Sequence, residues 1–353
     1  MNDRAFTVGV VGATGAVGST ILEVLAEREF PAAEVVPFSS ERSAGTKLGF
    51  RGDQIECRPL SADSIGGLDL VLSSAGGAVS SEWAPRFVEA GAVVVDNTSY
   101  WRMHEDVPLV VSEVNPDAAE DHNGLVANPN CTTMAMVVAL GPIHRAAGIE
   151  RLVVSTYQSV SGTGRRAIEE LNEQSRAVLD GEPPRSEVFP HPIAFNVIPQ
   201  VETFKDGDDY TTEERKLMRE TRKILGASEE AMRISATCVR VPVITGHSES
   251  INVQTREPLS PEECRELLSA APGVIVVDSP SEGLYPLAID AAGRDEVLVG
   301  RIRRDPSDER CLNLWVVGDN LRKGAATNAV QIAELLADRD LVRVPAGAAS
   351  LSA

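Results

Sequence analysis

Positive charge is scarce beside negative charge in this chain. Lys and Arg number 33 against 52 Asp and Glu, a formal net charge of −19 over 353 residues. That balance argues against a nucleic-acid surface, and it means that any anionic ligand must be held by local cations against a repulsive global field. No run of eighteen apolar residues exists, so no transmembrane helix is expected. The start, Met1-Asn2-Asp3-Arg4, lacks the basic residues and apolar core of a signal peptide. The cysteines are few, odd in number and scattered (Cys57, Cys131, Cys238, Cys264, Cys311), and no two have metal-ligand spacing. Free thiols in a reduced cytoplasmic setting, without a bound metal, fit that pattern. Internal repeats and low-complexity segments are also missing, while the Ala-rich stretch after Val344 reads as a disordered tail. The length suits two domains.

What is present begins with an apolar, strand-like run, Phe6 to Val11, followed by Gly12-Ala13-Thr14-Gly15-Ala16-Val17-Gly18 and a helix from Ser19 to Glu27. Strand, glycine turn and helix form the context in which backbone N–H groups approach a dinucleotide pyrophosphate. A second strand, Glu34 to Phe38, leads to Ser39-Ser40-Glu41-Arg42-Ser43, where an adenosine ribose would lie. Arg42 and Ser43 favour a 2′-phosphate, and Glu41 opposes it. Leu68 to Ser73 and Ala92 to Asp96 are further strands, joined by a helix from Ser80 to Ala90. This alternation predicts a parallel sheet with right-handed crossovers. The polar turns after these strands, from Ser73 and from Asn97, fall where open α/β sheets bind ligands.

The stretch Ala127-Asn128-Pro129-Asn130-Cys131-Thr132-Thr133 separates a short apolar run from a helix-like one. Asn128-Pro129 ends the first element. Cys131 then falls in the first turn of a helix, where unpaired N–H groups and the helix dipole favour a thiolate. A nucleophile for an acyl group and a small packing cysteine both remain open on this stretch alone.

Beyond it the pattern changes. Strands are expected at Arg151 to Tyr157, Ser235 to Val243, Ser250 to Thr255, Gly273 to Asp278, Val297 to Arg303 and Asn313 to Val317. Helices are expected at Arg165 to Leu179, Thr211 to Leu225 with Thr212 as a cap, Pro261 to Ala270 and Ala325 to Leu336. Several strands in succession predict a mixed or antiparallel sheet in an α+β domain.

The ordered set of motifs resembles the aspartate-β-semialdehyde dehydrogenase family over about residues 5 to 343. Its carriers are Gly12 to Gly18, Asp96-Asn97-Thr98-Ser99, Asn130-Cys131-Thr132-Thr133, Tyr157-Gln158-Ser159-Val160-Ser161-Gly162, Arg240-Val241-Pro242-Val243 with Gly246-His247-Ser248-Glu249, and Asp319-Asn320-Leu321 with Lys323-Gly324. The resemblance implies a Rossmann-like parallel-sheet cofactor domain, 1–130 plus 325–353, and an α+β catalytic and dimerisation domain, 131–324. It implies NADP as cofactor, with Gly12, Thr14, Gly15, Ala16, Val17, Arg42, Ser43, Ser73, Ser161, Gly162 and Asn320 in contact with it. By the same resemblance Cys131 is the nucleophile, Gln158 orients the acyl intermediate and His247 is the general acid/base, a role that needs it to take and return a proton near neutral pH. Arg240 grips the substrate carboxylate, Glu213 and Lys216 bind amine and phosphate groups, and Arg102 and Asn130 complete the substrate site. The implied reaction is reversible reductive dephosphorylation of aspartyl phosphate to aspartate semialdehyde and inorganic phosphate, on the route to lysine, threonine and methionine. A homodimer or a dimer of dimers is implied, with neither nucleic acid nor membrane as partner.

Single motifs carry less. Glu213 and Lys216 also read as an ordinary i, i+3 surface pair, and His104, His122, His144 and His191 read as structural. N-acetylglutamyl-phosphate reductase is a rival with the same chemistry. Asn130 directly before Cys131, and Arg240 seven positions before His247, favour the aspartate enzyme. Glyceraldehyde-3-phosphate dehydrogenase shares a Cys-Thr-Thr run but not the order of the other motifs. A non-catalytic dinucleotide-binding regulator would be expected to lack Cys131 or His247. No function is read for the segment 181–190.

Overall fold

A computed structural model describes residues 4–345, so nearly all of the Ala-rich tail read as disordered lies outside the described residues. The chain divides into two compact units, Met1–Asn130 with Ala325–Ala353, and Cys131–Gly324.

In the first unit, β1 (Phe6–Val11) runs into the glycine turn and α1 (Ala16–Glu27), which starts three residues earlier than its sequence pattern suggests. After β2 (Ala32–Ser39) come a hairpin, β3 (Lys47–Phe50) and β4 (Asp53–Glu56), and a two-residue strand, β5 (Arg58–Pro59), none of them apparent from the sequence. Then follow β6 (Leu70–Ser73), α2 (Gly77–Glu89), β7 (Val93–Asp96) and β8 (Leu125–Ala127). The main sheet has the order β5-β2-β1-β6-β7-β8 and every pairing in it is parallel. Its central strands are apolar without alternation because both faces are covered. Val8, Val10, Leu70, Leu72, Val93 and Val95 share one core with Ile21 and Leu25 of α1 and with Ile332 and Leu336 of the helix Asn328–Asp338. That last helix starts three residues later than expected, after a π-helical turn, Arg322–Thr327. Strand order reverses between β1 and β6, and the turns leaving these two strands lead into α1 and α2.

The second unit begins at the cysteine, with α3 (Cys131–Ala147). It continues through β9 (Ile149–Gln158), α4 (Arg165–Leu179), α5 (Thr212–Leu225), β10 (Arg233–Arg240) and β11 (His247–Thr255). The remaining elements are α6 (Pro261–Ser269), β12 (Val274–Val276), α7 (Ala288–Ala291), β13 (Val297–Asp305) and β14 (Asp308–Gly318). The sheet order is β10-β9-β11-β14-β13-β12, mixed as expected: β9 and β10 are parallel, and β11 runs against both β9 and β14.

Two local expectations are corrected. The cap of α5 is Thr211, whose Oγ1 accepts the Glu214 N–H while the Glu214 carboxylate accepts the Thr211 N–H; Thr212 is the first helical residue. The run Ser235 to Val243 is not one strand with His247 on the turn after it. β10 stops at Arg240, ahead of Pro242, which has no N–H to pair, and His247 opens β11. Among the described residues no helix is long and apolar enough to cross a membrane.

Candidate active site

In the second unit three strand ends converge. Arg240 ends β10 opposite Gln158, the last residue of β9, and Ser248 on β11 pairs with Tyr157. Side chains far apart in sequence therefore meet at one edge of the sheet. Cys131 Sγ lies 3.3 Å from His247 Nε2. On the other side of the ring, the Ser159 N–H donates to His247 Nδ1 at 3.1 Å. A backbone donor at Nδ1 leaves the ring proton of neutral His247 on Nε2, aimed at the sulfur. Burial pushes the His247 pKa down to about 3, with the Arg240 charge acting in the same direction. In this site the ring is therefore uncharged near neutral pH.

Cys131 differs from the other thiols. It is the one cysteine of the five that is not buried. Burial raises the pKa of Cys57, Cys238 and Cys311 and pushes Cys264 up to about 12. Gly324 lets the chain pass behind Cys131, because a Cβ there would stand 2.9 Å from the Cys131 Cβ.

Arg240 is buried and forms no ion pair among the described residues; its Nη1 donates to the Ser159 carbonyl at 2.6 Å. Burial lowers its pKa. A buried guanidinium without a carboxylate is costly unless an anion arrives to complete it. Gly162 stands between the two groups. A Cβ on it would lie 3.3 Å from both Arg240 Nη1 and His247 Nε2, so the missing side chain keeps this space open.

Gln158 is locked. Its Oε1 accepts from Thr156 Oγ1 and its Nε2 donates to Glu213 Oε1, both at 3.0 Å. Glu213 is buried, so its 2.7 Å bridge to Lys216 is not the surface pair that local pattern suggests. Lys216 also meets Glu202 at 2.5 Å. Burial pulls the lysine pKa down, but Glu213 and Glu202 outweigh it and the net shift is upward. Asn320 is a hub: its Oδ1 accepts from the Gly246 N–H and from Ser159 Oγ, each at 3.0 Å, and its Nδ2 donates to Ser161 Oγ at 2.9 Å. Two residues, one beside the site and one buried on β11, escaped sequence reading. Ser159 matters through its backbone, which no residue identity reveals. Glu249 is wholly buried with both oxygens unpaired, and burial raises its pKa well above the usual range. Its place in the Gly246-to-Glu249 motif was the available signal.

In the first unit, Gly12 has φ +79°, and a Cβ on Gly18 would stand 2.1 Å from the Gly12 carbonyl oxygen, so α1 reaches the turn only with glycine there. Gly15 caps α1 and Gly76 caps α2, neither with a side-chain hydrogen bond. Two helix N-termini without side-chain caps, after the strands where sheet order reverses, suit a pyrophosphate. Thr14, Ala16 and Val17 belong to the first of these turns, Ser73 ends β6, and Arg42 and Ser43 lie in a 3₁₀ turn after β2. Arg102 is buried, with Nε on the Asn128 carbonyl at 2.9 Å and Nη2 on the Asn97 carbonyl at 2.7 Å. Asn130, also buried, is the last residue of this unit before the cysteine.

Comparison with known proteins bears on all of this. Residues 7–122 match the model of the semialdehyde dehydrogenase NAD binding domain, and residues 140–323 match that of the semialdehyde dehydrogenase dimerisation domain. The chain is 55% identical over 341 residues to an aspartate-semialdehyde dehydrogenase of Aquifex aeolicus, covering 96% of this chain and 99% of that one. It is 47% identical to the Bacillus subtilis aspartate-semialdehyde dehydrogenase over 347 residues, 96% of this chain and 99% of the relative. Among solved structures, aspartate semialdehyde dehydrogenase II of Vibrio cholerae complexed with ASA superposes with a TM-score of 0.92 at 47% identity, covering 95% and 99% of the two chains. The Candida albicans enzyme with NADP gives a TM-score of 0.74 at 27% identity, covering 96% of this chain and all of that one. With its fold, its paired cysteine and histidine and these relatives, the chain belongs to the aspartate-semialdehyde dehydrogenase family.

Proposed function

We propose that this protein reduces L-4-aspartyl phosphate to L-aspartate 4-semialdehyde, reversibly, with NADP as cofactor and a Cys131 thioester as intermediate. The observation that carries the reading is Cys131 Sγ at 3.3 Å from a neutral His247, beside a buried Arg240 that forms no ion pair among the described residues. In the phosphorylating direction the Cys131 thiolate attacks the aldehyde carbon, and the carbonyl oxygen becomes a thiohemiacetal alkoxide that accepts a hydrogen bond from His247 Nε2–H. Bound NADP supplies the hydride acceptor. With the cofactor bound, the alkoxide would collapse to the thioester as hydride leaves carbon, and attack of inorganic phosphate on the thioester would release aspartyl phosphate and the thiolate, the phosphate's proton passing to solvent. His247 Nε2–H faces the sulfur and, as a neutral ring, stabilises negative charge on oxygen and then on sulfur by donating a hydrogen bond rather than by losing its proton. Gln158, its amide fixed at both ends, orients the acyl group. Arg240 holds the α-carboxylate through a two-pronged contact, which selects the substrate's chain length. Glu213 takes the amine. Lys216, Arg102 and Asn130 hold phosphate.

The remaining assignments belong to the same reading. Gly12, Thr14, Gly15, Ala16, Val17 and Ser73 hold the cofactor's pyrophosphate end, Arg42 and Ser43 its 2′-phosphate, and Ser161, Gly162 and Asn320 its nicotinamide end. The product feeds lysine, threonine and methionine synthesis in the cytoplasm. Exposed Tyr157, Tyr285 and Leu287 on the second unit support a homodimer, which light scattering tests. NADPH consumption against aspartyl phosphate and N-acetylglutamyl phosphate is the deciding assay; turnover of the second alone would overturn the substrate. Arg42→Ala should weaken NADP about tenfold more than NAD, the scale of a charge-assisted contact.

A further inference from the structure

The segment after α4, left without a role by its sequence, reaches the substrate arginine. From Arg185 to Ile198 it has no regular element of its own, and two buried side chains of α4 satisfy much of its backbone. The Glu170 carboxylate accepts the N–H groups of Glu187 at 2.8 Å and Val188 at 2.5 Å. Gln174 Oε1 accepts those of Ile193 at 2.8 Å and Ala194 at 3.1 Å, and its Nε2 donates to the Arg185 carbonyl at 2.8 Å. So tied, the segment meets Arg240 twice. Ile198 exchanges both backbone hydrogen bonds with Arg240, at 2.8 and 3.0 Å, on the edge of β10 away from Gln158. The Phe189 ring, packed against the apolar cluster of Val160, Leu171 and Ile193, lies with its centroid 5.9 Å from the Arg240 Cζ.

We infer that this segment is the wall of the substrate-carboxylate pocket and that Phe189 is a specificity-determining residue for a short α-amino-acid carboxylate. The inference rests on the proposed reaction. A carboxylate grips a guanidinium along its planar edge and leaves the faces free. The Phe189 ring, with Arg240 Cζ over it at 5.9 Å from its centroid, makes an attractive cation–π contact and takes up space beside the guanidinium that water would otherwise fill. With less water the carboxylate contact is screened less. Stripped of this wall, Arg240 would attract anions of any shape, phosphate included, in an enzyme that must sort a carboxylate from a phosphate.

Phe189→Ala and Phe189→Leu in the full-length protein test it. Phe189→Ala should raise KM for aspartate semialdehyde about five- to twentyfold with kcat within about twofold, the scale of a partly desolvated cation–π contact. Turnover of 3-aminopropanal, the same aldehyde without the carboxylate, should keep its wild-type kcat/KM. Phe189→Leu, which keeps the bulk without the ring, should fall between. A second arm needs no turnover: phenylglyoxal labelling of Arg240, read by peptide mass, should be faster in Phe189→Ala than in wild type. If wild type failed to use aspartate semialdehyde, the reaction reading would fall, and the labelling rate would still judge the wall. Unchanged KM with unchanged labelling would overturn the inference. Equal losses on both aldehydes would also overturn it, by making Phe189 a packing residue.

Discussion

The two units build their candidate sites in opposite ways. In the first, the candidate pyrophosphate site is made of backbone: a turn with Gly12 at positive φ, and helices whose first N–H groups have no side-chain cap. In the second, the candidate substrate site is made of side chains brought together by strand pairing, with Gln158, Arg240 and His247 at converging strand ends and Cys131 at the start of α3 beside them. Backbone sites tolerate many side chains but few added atoms at glycine. Side-chain sites tolerate neighbours but not changes in the reacting groups. The same edit should therefore injure the two units in different currencies, stability in one and turnover in the other.

The sharpest cut is Cys131→Ala. It should lower turnover by about 10⁴-fold or more while thermal stability and cofactor affinity hold, since the nucleophile has no substitute. Substantial residual activity would return Cys131 to a packing role.

Next comes His247→Asn, with kcat falling about 10²- to 10⁴-fold and KM less affected. Its pKa, pushed down to about 3, also sets a stability dependence. A depressed histidine contributes stability that is complete above its ordinary 6.5 and is lost as pH falls toward about 3. Melting curves across that window should therefore decline less steeply in His247→Asn than in wild type. A wild-type rate limb between about pH 6 and 8 that this variant removed would show that the bound state titrates quite differently.

A pair of glycines compares the units directly. Gly18→Ala places a Cβ 2.1 Å from the Gly12 carbonyl oxygen, backbone against backbone. It should cost about 2–4 kcal/mol in unfolding free energy, together with cofactor affinity. Gly162→Ala places a Cβ 3.3 Å from Arg240 and His247 atoms. It should change stability by less than about 1 kcal/mol yet raise KM for the semialdehyde about tenfold. If both variants lost stability alike, the contrast between backbone and side-chain sites would collapse.

The smallest effect is at Glu249. Its carboxyl pKa is raised by burial, so its contribution to stability is complete below the ordinary 4.5 and declines as pH rises through the folded value. Glu249→Gln, which mimics the neutral acid, should leave kcat near wild type and flatten that decline in melting temperature. A fall in kcat of about a hundredfold would instead mark Glu249 as part of the proton path.

How much of this was legible beforehand depends on range along the chain. The glycine turn, the helix opening at Cys131 and the extent of α4 follow from neighbours a few residues apart, where propensity and capping act. The order of motifs was enough for the family. Sequence also named Arg240 and His247, but it put them on one strand and its turn, when Pro242 ends the first strand and three strand ends supply the site. Only tertiary structure decided that His247 is neutral with its proton toward the sulfur, because that depends on one backbone N–H, at Ser159, and on burial. It likewise decided that Glu213 is buried rather than on the surface, and that Phe189 faces Arg240. Strand register and solvent exclusion arise from contacts among residues tens to hundreds of positions apart. Local pattern carries no record of them, and they set the charge state and reach of every group in the site.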